Sequence, residues 1–437
     1  MNPGDKLGEY EIVAPLKRGG MATLYLGCRT GAGGFAKHVA IKVVHPHLAG
    51  DRKFVEMFLD EARLSARIDH PNVVHVYELG EGDEDTYYLV MEYVHGCSLS
   101  QLLAALAKAE RKLSPELAAF IGMRVAAGLH SAHEVTGPDG EPLAAVHRDI
   151  SPQNILLAYK GYVKLIDFGI AKMRGRVHQT TTGSLKGKFR YMAPEQAAGR
   201  PVDRRTDVYA LGIVLWEMLT MRRLFDATDE LQLIEQIRKP KVPAPSTLAS
   251  NVPDGLERAV MHALAPDPAE RPQSAYELQR ELGEGLPSAL AMDAPDLARL
   301  LHATMGDAIR ADAERLPGSL SKVISAEQNR AEEPSGQVME ALTVATPGLA
   351  EGGFHDVTVE SDETETSEPA TSEAASPSPS PAEAGPAAPR DAPVREAAPA
   401  EAQVASAQAA GADKSTVRLG SFASSASAGP APARGSG

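Results

Sequence analysis

The chain has 437 residues, 43% of them hydrophobic, enough apolar material for at least one sizeable core within two or three domains. Its net charge of −14 speaks against binding to nucleic acid or an anionic membrane surface, because a phosphate partner requires a basic face. Two cysteines, Cys28 and Cys97, exclude a disulfide framework, no run reaches the ~18 apolar residues of a membrane span, and the N-terminal stretch lacks a basic segment followed by an apolar one, so a cytoplasmic protein is expected.

From Tyr10 to about Tyr93, the runs EYEIVAPL, TLYLGCR, HVAIKVV, VVHVYELG and TYYLVMEYV are separated by Gly and Asp clusters and predict five strands. Between the third and fourth, DRKFVEMFLDEARLSARI sets Phe54, Phe58 and Ala62 at four-residue spacing behind Asp51, which predicts one capped helix. After Gly96 the texture turns Leu/Ala-rich, and LSQLLAALAKAE, SPELAAFIGMRVAAGLHSAHE and DVYALGIVLWEMLT predict a helical lobe. Ser114-Pro115 is a helix start, and TGPDGEPL is a loop. Residues 288–316 keep helical periodicity without an evident partner, giving one or two helices either docked on the lobe or loosely attached. Beyond Pro317 the chain is Ala, Pro, Ser and Glu with almost no aromatics, and burial cannot offset its entropy. Residues 317–437 are therefore expected to be a disordered acidic tail, carrying about −10 of the net charge.

Gly19 and Gly20 lie in a turn between two strands, LKRGGMATLYLG, where glycine lets backbone amides approach a polyphosphate or simply closes a hairpin. Lys42 stands among Val39, Ile41 and Val43, a buried pattern in which a cation needs a partner, and Glu61 on the following helix can be that partner. HRDISPQN and LIDFGIA then bring Asp149, Asn154 and Asp167 onto two nearby loops. A carboxylate and an amide oxygen suit Mg²⁺ better than zinc, and a second carboxylate suits proton acceptance.

The Gly-rich turn, VAIK, HRD with its Asn, DFG (Asp167–Gly169), APE (Ala193–Glu195), TDVYALG and DPAERP, in this order over about residues 8–283, resemble the eukaryotic-like serine/threonine protein kinases of bacteria. The resemblance implies an α+β bilobal fold, with a β-rich N-lobe over about 8–93 and a helical C-lobe over about 94–283. It implies transfer of the γ-phosphoryl group of ATP, with Mg²⁺, to Ser/Thr of proteins, the kinase itself included. Lys42 would hold the α- and β-phosphates and pair with Glu61, Asp149 would accept the substrate hydroxyl proton, and Asn154 and Asp167 would bind Mg²⁺. The nucleotide would be lined by Leu16, Lys17, Gly19, Gly20, Leu24, Ala40, Lys42, Met91, Glu92, Val94 and Leu156, with Glu92 and Val94 meeting adenine through their backbone. Asp207 resembles the buried aspartate that anchors the catalytic loop, and Glu195 with Arg271 an ion pair that stabilises the lobe.

The chain departs from the family pattern at several positions. Lys17 and Ala22 stand where the loop's first and third glycines are expected, and Leu24 where a valine is expected. Ser151 occupies the place of the catalytic-loop lysine, while Lys188, just after Gly187, occupies that of a threonine. Either the two have traded places and Lys188 serves the γ-phosphate from across the cleft, or Lys188 is a surface charge and the enzyme works with serine. Tyrosine specificity is disfavoured, because Ser151 and Gln153 replace the arginine of that branch. Arg148 implies an activation segment ordered by phosphorylation, with Thr180 and Thr182 the favoured sites. The rival is a pseudokinase or scaffold whose tail binds other proteins. Retention of Lys42, Glu61, Asp149, Asn154 and Asp167 argues against it.

Overall fold

A computed structural model describes residues 1–83, 86–168, 189–227 and 229–315. Strands β1 (Lys6–Leu7), β2 (Tyr10–Arg18), β3 (Ala22–Thr30), β4 (Ala36–Val44), β5 (Val76–Gly82) and β6 (Thr86–Glu92) form one antiparallel sheet in the order β1-β2-β3-β4-β6-β5. Both faces of its centre are covered, which explains why β4 reads as an almost continuous apolar run. Tyr10, Ile12, Tyr25, Ile41, Tyr88 and Val90 pack together on one face. Ala40, Val44, Leu89 and Met91 on the other meet Phe58 and Ala62 of helix α2 (Arg52–Ser65), which follows the short α1 (Pro46–Ala49). Asp51 caps α2 as expected, its carboxylate accepting the N–H groups of Lys53 and Phe54.

The run VVHVYELG enters the sheet only at Val76. Val73 and Val74 are buried, but the Val74 N–H donates to the Leu165 carbonyl and the Leu165 N–H to the Asn72 carbonyl, so this stretch bonds to the second lobe instead. That lobe begins with β7 (Gly96–Ser98), α3 (Leu99–Lys108) and α4 (Pro115–His133). Ser98 and Gln101 form a reciprocal cap on α3, and Ser114 caps α4 with proline at its first position. β8 (Ile155–Ala158) and β9 (Val163–Leu165) join β7 in a second small sheet, too short to stand out as alternation in the sequence. The remaining helices are α5 (Pro194–Ala197), α6 (Arg204–Thr220), α7 (Glu230–Arg238), α8 (Asp254–Ala263), α9 (Ala275–Gly285) and α10 (Ala294–Arg315). α6 is buried on every side from Thr206 to Thr220 and forms the axis on which α4, α8 and α9 pack.

Of the stretch 288–316, the described part, to Arg315, is docked on the lobe. Leu297, Leu301 and Ile309 of α10 are buried in the core of the helical lobe. No helix among the described residues is long and apolar enough to cross a membrane. The expected tail, 317–437, lies outside the described residues.

Candidate active site

Lys42 sits mid-strand on β4, opposite Leu24 of β3 and Leu89 of β6. Its Nζ donates to Glu61 Oε1 at 3.0 Å and to Asp167 Oδ1 at 2.9 Å. Burial alone would drive this ammonium to lose its proton, but the charges of Asp167 and Glu61 outweigh that and hold its pKa well above the ordinary lysine value. These two carboxylates favour the ammonium form, and α2 presents Glu61 to it from a buried face.

Two loops meet beside this pair. The Asn154 amide Nδ2 donates to the Asp149 carbonyl at 2.8 Å and to Asp149 Oδ2 at 3.0 Å. The Ile166 N–H donates to the Asn154 carbonyl at 3.0 Å, which ties the loop of Asp149 to the residue before Asp167. Both loops carry non-glycine residues with left-handed backbone, Arg148 (φ 65°) and Asp167 (φ 56°), a cost that the surroundings must offset. At Arg148 the offset is visible. Asp207 of α6, fully buried, accepts the N–H groups of His147 and Arg148, each at 2.7 Å, and bonds His133 Nε2 at 2.8 Å. Burial pushes the Asp207 carboxyl up, yet these partners outweigh it and keep its pKa below the ordinary aspartate value. Burial also pushes His147 below the usual histidine range; its Nδ1 accepts the Asp149 N–H, its Nε2–H donates to the Ile166 carbonyl at 3.1 Å, and the ring packs on Phe168 at 4.6 Å.

Of the residues expected around a nucleotide, Leu24, Ala40, Met91 and Val94 belong to one hydrophobic cluster. Ala40 and Met91 are paired across β4 and β6 and buried; Leu24, Glu92, Val94 and Leu156 are half-buried. Leu16, Lys17, Gly19 and Gly20 are exposed at the β2–β3 turn. The Gly19 N–H closes that turn on the Ala22 carbonyl at 2.9 Å, and a Cβ on Gly19 would come within 3.0 Å of the same oxygen. Ser151 is buried, and its carbonyl accepts the Asn154 N–H. Gly169, Thr180, Thr182 and Lys188 lie outside the described residues. The oxygen donors of Asn154 and Asp167, the latter's side chain 46% exposed, fit a hard divalent cation such as Mg²⁺.

The protein kinase domain model matches residues 10–282. This chain belongs to the protein kinase family. A tyrosine-protein kinase from Myxococcus xanthus, MasK, is 40% identical over 314 residues, which cover 71% of this chain and 48% of MasK. The serine/threonine-protein kinase PrkC of Bacillus subtilis is 35% identical over 275 residues, covering 63% of this chain and 40% of PrkC. The chain thus spans less than half the length of either relative. Among solved structures, the kinase domain of Mycobacterium tuberculosis PknI superimposes with a TM-score of 0.50 at 28% identity, covering 66% of this chain and 99% of that one.

Within the kinase fold, Arg271 makes a two-pronged contact with Glu195, Nη1 to Oε1 at 2.8 Å and Nη2 to Oε2 at 2.9 Å, and the Thr206 hydroxyl donates to the same carboxylate. One contact escaped the sequence reading. The Glu92 carboxylate accepts from Lys164 Nζ at 2.8 Å and from the His75 N–H at 3.3 Å, so its side chain links the interlobe segment to β9. The signal was present, since Lys164 sits among Val163, Leu165 and Ile166 just as Lys42 sits in VAIK.

Proposed function

We propose that this kinase transfers the γ-phosphoryl group of ATP to serine and threonine hydroxyls of proteins in the presence of Mg²⁺. The observation that carries the reading is the Lys42 ammonium held between Glu61 and Asp167 beside an Asp149 carboxylate bonded by Asn154. Lys42 engages the α- and β-phosphates, and Glu61 keeps it aimed into the cleft. Asp149 orients the attacking hydroxyl and accepts its proton, while the Asn154 amide bond fixes the direction of Oδ2. Asn154 and Asp167 supply oxygen ligands to Mg²⁺, which when bound neutralises charge on the phosphates. Glu92 and Val94 offer backbone groups to adenine.

Serine/threonine specificity is supported by the names of PrkC and several other relatives, and by Ser151 and Gln153 in place of arginine. Activation by phosphorylation at Thr180 or Thr182 is supported by Arg148, whose Nε is buried without a hydrogen-bond partner among the described residues. Lys188 supplying the charge that Ser151 lacks, and an acidic tail that recruits protein partners, complete the reading. A reducing cytosolic setting suits the two free thiols.

The test is incubation of the full chain with labelled ATP and Mg²⁺, followed by phosphosite mapping. Phosphoserine and phosphothreonine, with sites at Thr180 or Thr182, are expected. Label found only on tyrosine overturns the specificity, and a folded protein that transfers no label overturns the kinase reading.

A further inference from the structure

Helix α10 begins beyond residue 282, where the family match ends, yet it touches the catalytic domain at points from Ala294 to Asp312. At its start, Gly161 (φ +87°) in the β8–β9 turn lies so close that a Cβ there would stand 1.7 Å from the Ala294 carbonyl. In its first two turns Leu297 and Leu301 are fully buried, and Ile309, beyond the non-helical Met305 (φ −121°), is buried as well. Further along, Asp312 reaches Tyr159, the residue after β8.

There a relay of rings connects helix to hinge. Tyr159, buried at the end of β8, donates its N–H to the His95 carbonyl at 3.0 Å, and its ring meets the His95 ring edge-on at 4.9 Å. The His95 ring in turn lies 6.4 Å from that of Tyr93. From the other side, the Tyr159 hydroxyl donates to Asp312 Oδ2 at 3.4 Å, and His302 of α10 stands 6.5 Å from the Tyr159 ring. Burial pushes the Tyr93 hydroxyl up to about 12, and the Asp312 carboxylate adds to it; the Cys97 thiol is likewise pushed up to about 12 by burial, with Asp312 contributing. The Asp312 carboxylate thus accepts from the Tyr159 hydroxyl and adds to the burial that raises the Tyr93 and Cys97 pKa values.

We propose that α10 is a brace for the hinge, and that Asp312 and Tyr159 are positioning residues that set nucleotide affinity by fixing the backbone of Glu92–Val94. The inference rests on the kinase reading for the use of that backbone, in which adenine is held by main-chain groups whose direction a displacement of the segment spoils. The catalytic groups Lys42, Asp149, Asn154 and Asp167 hang on other elements. Loss of the brace therefore raises KM for ATP and leaves kcat nearly unchanged.

The experiment uses the full chain carrying Asp312→Ala, Asp312→Asn or Tyr159→Phe, with two readouts: KM and kcat for ATP in label transfer, and direct binding of a fluorescent ATP analogue. Asp312→Ala and Tyr159→Phe are expected to weaken both KM and analogue binding by about fivefold, the scale of one lost hydrogen bond. Asp312→Asn keeps an oxygen for the Tyr159 hydroxyl and should recover most of the affinity. Unchanged nucleotide affinity in both Asp312→Ala and Tyr159→Phe overturns the brace, as does a fall in kcat at constant KM. If the unsubstituted chain binds the analogue but transfers no label, the kinase reading fails, and the binding series still decides the brace.

Discussion

Replacing Asp207 by alanine removes one buried carboxylate and leaves three donors, the N–H groups of His147 and Arg148 and the ring of His133, facing a void. Leaving a buried donor unpaired costs about 1–3 kcal/mol, so three cost several, and after partial relaxation a loss of about 4 kcal/mol is expected. That is roughly a thousandfold in the ratio of folded to unfolded chains, and a large share of the ~5–15 kcal/mol that holds a domain together. Function suffers separately. The left-handed backbone of Arg148 (φ 65°) costs on the order of 1 kcal/mol or more and is held by its N–H bond to Asp207. Without that bond the loop relaxes and Asp149 turns away, so the folded fraction should lose at least about tenfold in turnover. Urea unfolding followed by circular dichroism measures the first effect, and label transfer normalised to the folded fraction the second. An alanine variant within about 1 kcal/mol of the parent, with undiminished turnover, would refute the reasoning.

Lys42→Met should abolish phosphoryl transfer while shifting the melting temperature by only a few degrees, because the side chain places charge rather than filling a core; undiminished autophosphorylation contradicts this. Burial pushes the Glu195 carboxyl up, but Arg271 outweighs it, and the folded pKa lies below the ordinary 4.5. A depressed carboxylate stabilises fully above its unfolded value, so this contribution is present at neutral pH and disappears as pH falls below about 4.5 through the folded value. Urea midpoints across that range should drop less steeply for Glu195→Gln than for the parent. Lys188→Thr should lower turnover by about 10²-fold if that lysine serves the γ-phosphate, and adding Ser151→Lys should regain much of it. Equal rates in the parent and Lys188→Thr would assign Lys188 to the surface.

Periodicity and ordered motifs were enough to read the strands around VAIK, the cap at Asp51, the helices behind Ser98 and Ser114, and the identity of the charged groups, because these depend on neighbours a few residues away. Pairing of Lys42 with Glu61 was also legible, since an embedded cation demands a partner and one acid lies on the next apolar helix face. Other features depend on contacts between residues far apart in the chain. VVHVYELG carries a strand pattern from Val73, but Asn72 and Val74 exchange hydrogen bonds with Leu165 and delay the ladder to Val76. Glu92 reads as an adenine neighbour, and only packing against β9 reveals that Lys164 holds its carboxylate. Residues 288–316 have the period of a helix, which states that one face is apolar and nothing about what covers it. The surface that Gly161 and Tyr159 offer to Ala294 and Asp312 is assembled only when β8 and β9 fold against the lobe.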